Sequence, residues 1–254
     1  MRENVLKTKL KNGGTAFGLL TPGADPSVVE ILGRLGYECY AIDCEHGPSG
    51  PAEVGDVVRA CEGVGMTPLA RIRSTDPKLI LQFLDLGVMG VIMPGIKDAD
   101  DVKRLVEAVK YPPLGKRGIA AVRANNYLLG TMSQEEYIPF SNEQTLVLPQ
   151  VELMEAVKNL DSLLRVEGVD GFIVGPRDLS MSMGFYDGPA HAELVSVRNH
   201  VFDTVRAAGL VVGTVASTGD EARSLVEHGA SIILTSVIGL LKVGSAHFFS
   251  GVRG

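Results

Sequence analysis

Short apolar runs alternate with longer amphipathic stretches from one end of the sequence to the other. The runs are rich in Val, Ile and Leu, which is typical of strands buried on both faces of a parallel sheet. The predicted strands are Ala16–Leu20, Tyr40–Asp43, Pro68–Ile72, Gly90–Met93, Leu146–Val151, Gly171–Val174, Val211–Val215 and Ser231–Leu234. Eight strands alternating with helices in 254 residues predict an α/β protein, a single-domain (β/α)₈ TIM barrel over residues 1–254.

The stretches between the strands have the apolar spacing of helices, and several begin with Asp, Ser or Pro and end with Gly. The predicted helices are Ser27–Leu35, Glu53–Val64, Pro77–Leu86, Ala99–Val109, Met154–Leu164, Ala192–Ala208 and Gly219–His228. An open, doubly wound sheet fits the same alternation, because periodicity alone does not show closure. No GxGxxG or GxxxxGK[ST] phosphate-binding motif follows the first strand, which favours the barrel.

Charge and composition narrow the class of partner. With 24 Lys and Arg against 30 Asp and Glu, the formal charge of −6 disfavours a nucleic-acid partner. No apolar stretch approaches the length of a membrane span, and the N-terminal residues are polar, so we expect a cytoplasmic protein with no membrane partner. Three cysteines without a CxxC pair predict reduced thiols.

One long connection interrupts the alternation. Residues Lys110 to Gln144 are rich in Pro, Gly, Arg and Asn and lie between the fourth and fifth predicted strands. Long ordered loops are usually functional. We interpret this one as a loop over the mouth of the barrel, with a short helix near Ser133–Tyr137.

Polar residues close several of the predicted strands. In a barrel the carboxyl ends of the strands meet at one face, where the catalytic residues lie. Glu152 and Asp178 follow successive strands, and their oxygens are suitable ligands for a hard divalent cation with positions left open for water and substrate. Both carboxylates are equally well explained as favourable charges at helix N-termini.

His46 follows the second predicted strand, and Arg71 lies at the end of the third. An imidazole titrates near neutral pH, so His46 is a candidate general base, although a lone histidine is more often a hydrogen-bonded loop residue. An inward-facing Arg71 needs an anion, either a substrate carboxylate or a neighbouring Asp43 or Glu45.

Asp85 and Cys44 are two further candidates. Asp85 lies in an apolar helical stretch and needs a partner if it is buried, His46 being one candidate and an exposed helix position the alternative. Cys44 precedes His46 by two residues, which permits a thiolate nucleophile, but a buried structural thiol is the simpler interpretation.

At these residues the sequence resembles the HpcH/HpaI family of class II pyruvate-dependent aldolases. The resemblance covers nearly the whole chain and is specific when its segments are taken together. The matching segments are IDCEHGP at 42–48, LARIR at 69–73, LDLGVMGVIMP at 84–94, KYPPLGKRG at 110–118, LPQVEL at 148–153 and VEGVDGFIVGPRDLSMSMG at 166–184.

The resemblance implies a hexameric (β/α)₈ barrel that uses Mg²⁺, Mn²⁺ or Co²⁺. The implied reaction is cleavage of a 4-hydroxy-2-oxo acid to pyruvate and an aldehyde through a metal-stabilised enolate. The partners would then be a small 2-oxo acid and an aldehyde. Another metal-enolate reaction on the same barrel, such as decarboxylation or acyl-thioester cleavage, and a non-catalytic oxo-acid-binding protein are the competing hypotheses.

The resemblance also assigns roles to individual residues. Glu152 and Asp178 match the metal ligands, His46 the base, Arg71 the residue that stabilises the enolate, and Asp85 the carboxylate that raises the basicity of the histidine. Expected substrate-binding residues are Arg71, Gln150, Gly175, Pro176, Arg177, Asp178 and Val215.

Three places depart from the family pattern. Arg177 stands where relatives usually carry a small residue, which places a bulky cation beside the expected pyruvate site. Thr235-Ser236-Val237 replaces a Gly-Ser-Asp sequence, and residues Ala120 to Gly130 differ from the usual loop.

Overall fold

The computed structural model describes residues 2–23 and 25–252, and within them eight parallel strands form a closed barrel. Each strand pairs with the next along the chain, and the first closes on the last with Ala16 opposite Ile232. The barrel prediction is confirmed, and every predicted strand end lies within one residue of the observed one. The strands are β1 (Ala16–Thr21), β2 (Cys39–Asp43), β3 (Thr67–Arg71), β4 (Gly90–Met93), β5 (Leu146–Val151), β6 (Gly171–Val174), β7 (Val211–Val215) and β8 (Ile232–Thr235).

Helices cover the outside of the barrel. They are α1 (Val5–Lys11), α2 (Pro26–Arg34), α3 (Pro51–Val64), α4 (Pro77–Leu86), α5 (Ala99–Val109), α6 (Gln134–Gln144), α7 (Met154–Lys158), α8 (Leu160–Leu163), α9 (Pro176–Ser182), α10 (Ala192–Ala207), α11 (Gly219–Glu227) and α12 (Val237–Ser250), with a 3₁₀ helix at Arg123–Leu128. The predicted helix Met154–Leu164 is interrupted between α7 and α8. None of these helices is long and apolar enough to cross a membrane, as far as the described ranges extend.

Local sequence explains why these helices begin and end where they do. Asp76 caps α4 by accepting a hydrogen bond from the Lys78 amide, and Pro77 occupies the first helical position, where its missing N–H costs nothing. Gly87 ends the helix with a φ of 103°, a left-handed conformation that favours glycine.

Two apolar layers hold the fold together. The larger lies between the sheet and the helices, and a smaller one fills the barrel interior with side chains such as Leu69, Leu148 and Ile173. Leu6 and Leu10 of α1 pack into the interior layer, while Lys7 forms an ion pair with Asp170, which directly precedes β6. Helix α1 therefore closes the N-terminal end of the barrel and leaves the C-terminal end open.

The position predicted for the long Lys110–Gln144 connection is wrong. It leaves the C-terminal end of α5 and enters the start of β5, so it lies at the N-terminal end of the barrel rather than over the mouth. Arg123 in this segment donates hydrogen bonds to Glu62 in the last turn of α3, at 3.1 Å, and to the carbonyl of Leu86 at the end of α4, at 3.0 Å. The predicted short helix is present as the longer α6.

Candidate active site

A cavity of about 360 Å³ opens at the C-terminal end of the barrel. Its wall is built from residues at or just after the ends of β1, β2, β3, β5, β6, β7 and β8. Eight of the residues predicted from sequence line it: His46, Arg71, Gln150, Gly175, Pro176, Arg177, Asp178 and Val215. The structure thus brings together side chains that are up to 169 positions apart in the sequence, from His46 to Val215.

Arg71 is held by two carboxylates. Its Nε and Nη2 atoms donate to the two Asp43 oxygens at 2.9 and 2.7 Å, and Nε lies 3.4 Å from Glu45. Burial by itself would raise the pKa of Asp43, but the hydrogen bonds and charge of Arg71 lower it overall. Because this pairing fixes one edge of the guanidinium, Nη1 is left without a protein partner among the described residues and is available to an anion in the cavity.

Asp43 also shapes the loop that carries His46. Its Oδ1 atom accepts hydrogen bonds from the backbone amides of Glu45 and His46, both at 3.2 Å. The His46 side chain is 62% exposed, and its Nε2 lies 3.6 Å from Glu45 Oε2. The imidazole is therefore placed at the mouth of the cavity, where it can reach both substrate and solvent.

Cys44 is not part of this site. Burial raises the pKa of its thiol to about 12, with the nearby negative charge of Asp43 acting in the same direction. The sulfur is protonated at neutral pH and does not line the cavity. Cys39, Cys44 and Cys61 are all free and buried, as the sequence predicts.

Glu152 lies beneath the cavity floor. Its Oε1 atom accepts a 2.7 Å hydrogen bond from the Gly95 amide, just after β4, and its Oε2 accepts one from Gln150 Nε2. A Cβ atom on Gly175 would come within 2.7 Å of Gln150 Nε2 and 3.1 Å of Glu152 Oε2. Glycine at this position therefore leaves room for both side chains.

Three carboxylates, those of Glu45, Glu152 and Asp178, lie close enough around this floor to affect one another. Burial raises the pKa of Glu152, and the negative charges of Asp178 and Glu45 raise it further. Burial likewise raises the pKa of Glu45, where Arg71 acts in the opposite direction. These groups repel one another at neutral pH, and a cation placed among them would relieve that repulsion.

The floor has the donor chemistry that a divalent cation requires. Glu152 and Asp178 offer carboxylate oxygens, and the buried Gln150 Oε1 atom has no hydrogen-bond partner. Within residues 2–23 and 25–252, no group of three or more His, Cys, Asp or Glu side chains is arranged as a metal cage. A site with two protein carboxylates, completed by water and substrate, is the arrangement that fits.

Asp85 lies elsewhere in the fold. It is in the last turn of α4, towards the N-terminal end of the barrel, whereas His46 follows the C-terminal end of β2. The Asp85 carboxylate accepts a 3.0 Å hydrogen bond from the buried Arg117, whose guanidinium stacks on Tyr111. The structure therefore does not bring Asp85 to His46 within one chain.

Several residues contribute to the site although the sequence did not predict a site role for them. Asp43 positions both Arg71 and the His46 loop, Gly95 orients Glu152, and the hydroxyl-bearing Ser217, Thr235 and Ser236 line the cavity wall. Asp43 was predicted only as a possible partner of Arg71, with Glu45 as the alternative, and Arg71 contacts both carboxylates. The others lie at or just after the ends of strands β4, β7 and β8, where no charged residue marks the strand end.

The protein is a closed (β/α)₈ barrel, and carboxylates, a fixed arginine and a histidine meet at the C-terminal ends of its strands. Active sites of this fold lie at that end, so the fold and the site together indicate an enzyme. Residues 16–241 match the HpcH/HpaI aldolase/citrate lyase family, and the chain belongs to it.

Individual relatives agree with this assignment. A 2-keto-3-deoxy-L-rhamnonate aldolase from Salmonella gallinarum (strain 287/91 / NCTC 13346) is 32% identical over 234 residues, covering 92% of this chain and 87% of the relative. The crystal structure of an HpcH/HpaI aldolase from Desulfitobacterium hafniense DCB-2 matches with a TM-score of 0.92 and 28% identity, covering 98% of this chain and 96% of that one. An aldolase/citrate lyase family protein from Burkholderia cenocepacia J2315 gives 0.91 and 28%, covering 99% and 100%. The chain is a carbon-carbon lyase of the metal-dependent aldolase class.

Proposed function

We propose that this enzyme cleaves a 4-hydroxy-2-oxo acid to pyruvate and an aldehyde. The observation that carries the proposal is the strand-end cavity, where one edge of Arg71 faces a carboxylate-rich floor. A small oxo acid presents a carboxylate and a carbonyl oxygen, which Arg71 and a divalent cation held by that floor would bind. The Salmonella relative is named for a 2-keto-3-deoxy acid, a substrate of the same class.

Glu152 and Asp178 would hold the divalent metal, Mg²⁺, Mn²⁺ or Co²⁺. When bound, such an ion acts as a Lewis acid that draws electron density from the 2-oxo group of the substrate. Gln150 and the backbone from Gly175 to Pro176 lie against the same volume and would orient the oxo acid. Val215, at the end of the neighbouring strand β7, would contribute an apolar contact.

Arg71 would stabilise the negative charge that develops on the substrate oxygen. Its guanidinium is already oriented by Asp43, so little side-chain entropy is lost when the transition state forms. Because Arg71 is buried, its interaction with that oxygen is screened less by water than a surface contact would be.

His46 would act on the proton. In the cleavage direction the imidazole accepts the proton of the C4 hydroxyl while the C3–C4 bond breaks. The carbonyl of the aldehyde forms at C4, and the bonding electron pair passes to the C2 oxygen as the enolate. Protonation at C3 then gives pyruvate.

The predicted role of Asp85 requires a second copy of the chain. Within one chain, α4 runs from the C-terminal end of the barrel to the N-terminal end, so Asp85 in its last turn lies far from His46, which follows the C-terminal end of β2. Only a neighbouring molecule can therefore bring an Asp85 carboxylate to the histidine. The pairing of Asp85 with His46 is therefore proposed together with an oligomer, because it requires one.

Helix α12 supports self-association. None of its residues is buried, although it is strongly apolar, and Ile238, Leu241 and Phe248 are 64%, 64% and 68% exposed. An apolar groove of about 700 Å³ lies beside it, lined by residues that include Phe17 and Val226. Apolar surface of this kind is usually covered in a stable assembly. We propose a homo-oligomer, a hexamer by the family resemblance, working in the cytoplasm, where three buried free thiols stay reduced.

The test is release of pyruvate from 4-hydroxy-2-oxopentanoate by the purified protein, followed with a lactate dehydrogenase coupled assay. We expect release with Mg²⁺ or Mn²⁺, loss of release with EDTA, and loss in Glu152→Gln. Release that is insensitive to EDTA would contradict the metal role. Tight oxalate binding without any turnover would favour a binding protein.

A further inference from the structure

A second cavity, the α4–α5 groove, lies on the outside of the barrel between those two helices. Its volume is about 360 Å³, and it shares no lining residue with the strand-end cavity. The basic residues of its wall are Lys78, Arg104, Lys116 and Arg117. Among the described residues that line it, Glu107 alone is acidic. The groove is therefore locally positive on a chain whose formal charge is −6.

Arg117 is the buried cation of the α4–α5 groove. Its side chain is 2% exposed, its guanidinium lies 4.6 Å from the centre of the Tyr111 ring, and Nη2 donates to Asp85 at 3.0 Å. The buried Nε atom has no hydrogen-bond partner among the described residues. A buried guanidinium N–H without an acceptor is unfavourable, so this wall has a donor that the described chain does not satisfy.

The residues on either side of Arg117 add further donors. Lys116 is exposed, and its 2.7 Å ion pair with Glu107 is of the exposed kind that contributes little stability. The amide of Gly118 has no hydrogen-bond partner in the described part of the chain. A Cβ added to Gly118 would meet no atom within 4 Å, so the backbone there is open to an incoming group. Lys116 to Gly118 thus form a short segment with an ammonium, a guanidinium and an amide.

The remainder of the groove is largely apolar. Pro77 and Leu81 of α4 and Ala108 of α5 line it and offer no side-chain hydrogen-bonding group. Lys78, near the start of α4, has no ion-pair partner within residues 2–23 and 25–252. A few polar groups beside an apolar wall, in a volume of this size, are typical of a small-molecule site. The expected ligand has one anionic group and a short carbon skeleton.

We propose that the α4–α5 groove binds a small phosphate monoester, with its phosphate at Lys116 to Gly118 and its carbon skeleton over Leu81 and Ala108. A phosphate monoester carries a charge of about −1.5 to −2 at pH 7 and has three strong acceptor oxygens, which match the donors of that segment. Glu107 lies beside Lys116 and repels the same anion. The inference does not depend on the reaction proposed above.

The test is calorimetric titration of the purified chain with glycerol 3-phosphate at constant ionic strength. We expect a dissociation constant below about 1 mM in the wild type. Lys116→Gln should weaken binding by about tenfold, since it removes one charge-assisted hydrogen bond. Glu107→Gln should tighten binding, an outcome that unfolding does not imitate. Lys103→Gln is the matched control, because Lys103 is exposed on the same helix and does not line the groove.

A parallel titration with inorganic phosphate separates the ester from the free anion. We expect the free anion to bind more weakly, because it makes no contact with the apolar wall. Equal affinities would contradict a phosphate ester as the ligand. Absence of binding at millimolar concentrations would overturn the inference, as would an affinity that is unchanged in both Lys116→Gln and Glu107→Gln, since the anion would then bind elsewhere. Pyruvate release has no part in these measurements, so either proposal can fail without the other.

Discussion

Replacing Gly175 by Ala is expected to weaken metal binding without unfolding the barrel. The backbone at Gly175 has a φ of −96°, which any residue adopts, so the substitution introduces no backbone strain. Its added methyl group would lie 2.7 Å from Gln150 Nε2 and 3.1 Å from Glu152 Oε2. Ordinary contacts of this kind are near 3.5 Å, so the Gln150 amide must withdraw by about 0.5–1 Å and displace Glu152 with it.

The expected magnitude follows from that displacement. Disturbing the neighbours of a metal ligand typically costs about tenfold to a hundredfold in metal affinity, or roughly 1.4–2.7 kcal/mol. Calorimetric titration with Mn²⁺ measures this loss directly. Gly63→Ala is the control, because Gly63 lies in α3 and a Cβ added there would have no atom within 4 Å, so its metal affinity should equal that of the wild type. Unchanged Mn²⁺ affinity in Gly175→Ala would refute the assignment of Glu152 to the metal.

Three further outcomes follow from the structure. Burial and the charges of Lys7 and Lys11 lower the pKa of Lys110 from 10.5 to about 8. Between pH 8 and 10.5 the unfolded state therefore binds more protons at Lys110 than the folded state does, so the free energy of unfolding rises with pH, by up to about 3 kcal/mol. Denaturant titrations across this pH range should show the rise in the wild type and not in Lys110→Met. Leu241→Glu should shift the assembly towards monomer in light scattering, and an unchanged mass would exclude α12 from the interface. Inactive His46→Ala and Asp85→Asn proteins should recover activity when they are unfolded and refolded together, and no recovery would contradict a site shared between two chains.

The strands were predictable because each is an apolar run that must be buried on both faces. Tyr40–Asp43 and Gly171–Val174 have no exposed position in the structure, so nothing competes with the strand interpretation. The location of the charged residues at the strand ends was also predictable, because the carboxyl ends of parallel strands lie at a common face. Convergence of Arg71 and Asp178 followed from this rule alone.

The errors came from features that the periodicity does not encode. Helix α12 was not predicted. It is strongly apolar and lacks the amphipathic spacing that marks a helix packed on one side. The Lys110–Gln144 connection was placed over the mouth because its length suggested function, whereas connections that leave a helix and enter a strand lie at the opposite end. The same rule of direction separates Asp85 from His46.

Exchange of the pyruvate methyl protons with solvent tests the central claim most directly, because it requires the enolate but no aldehyde. The measurement is the loss of the methyl proton NMR signal of pyruvate in D₂O with Mg²⁺ and the purified protein. We expect exchange in the wild type, none after EDTA treatment, none in Glu152→Gln, and slower exchange in Arg71→Lys. Absence of exchange with every divalent cation tried, or exchange that persists in EDTA, would contradict a metal-assisted enolate at this site.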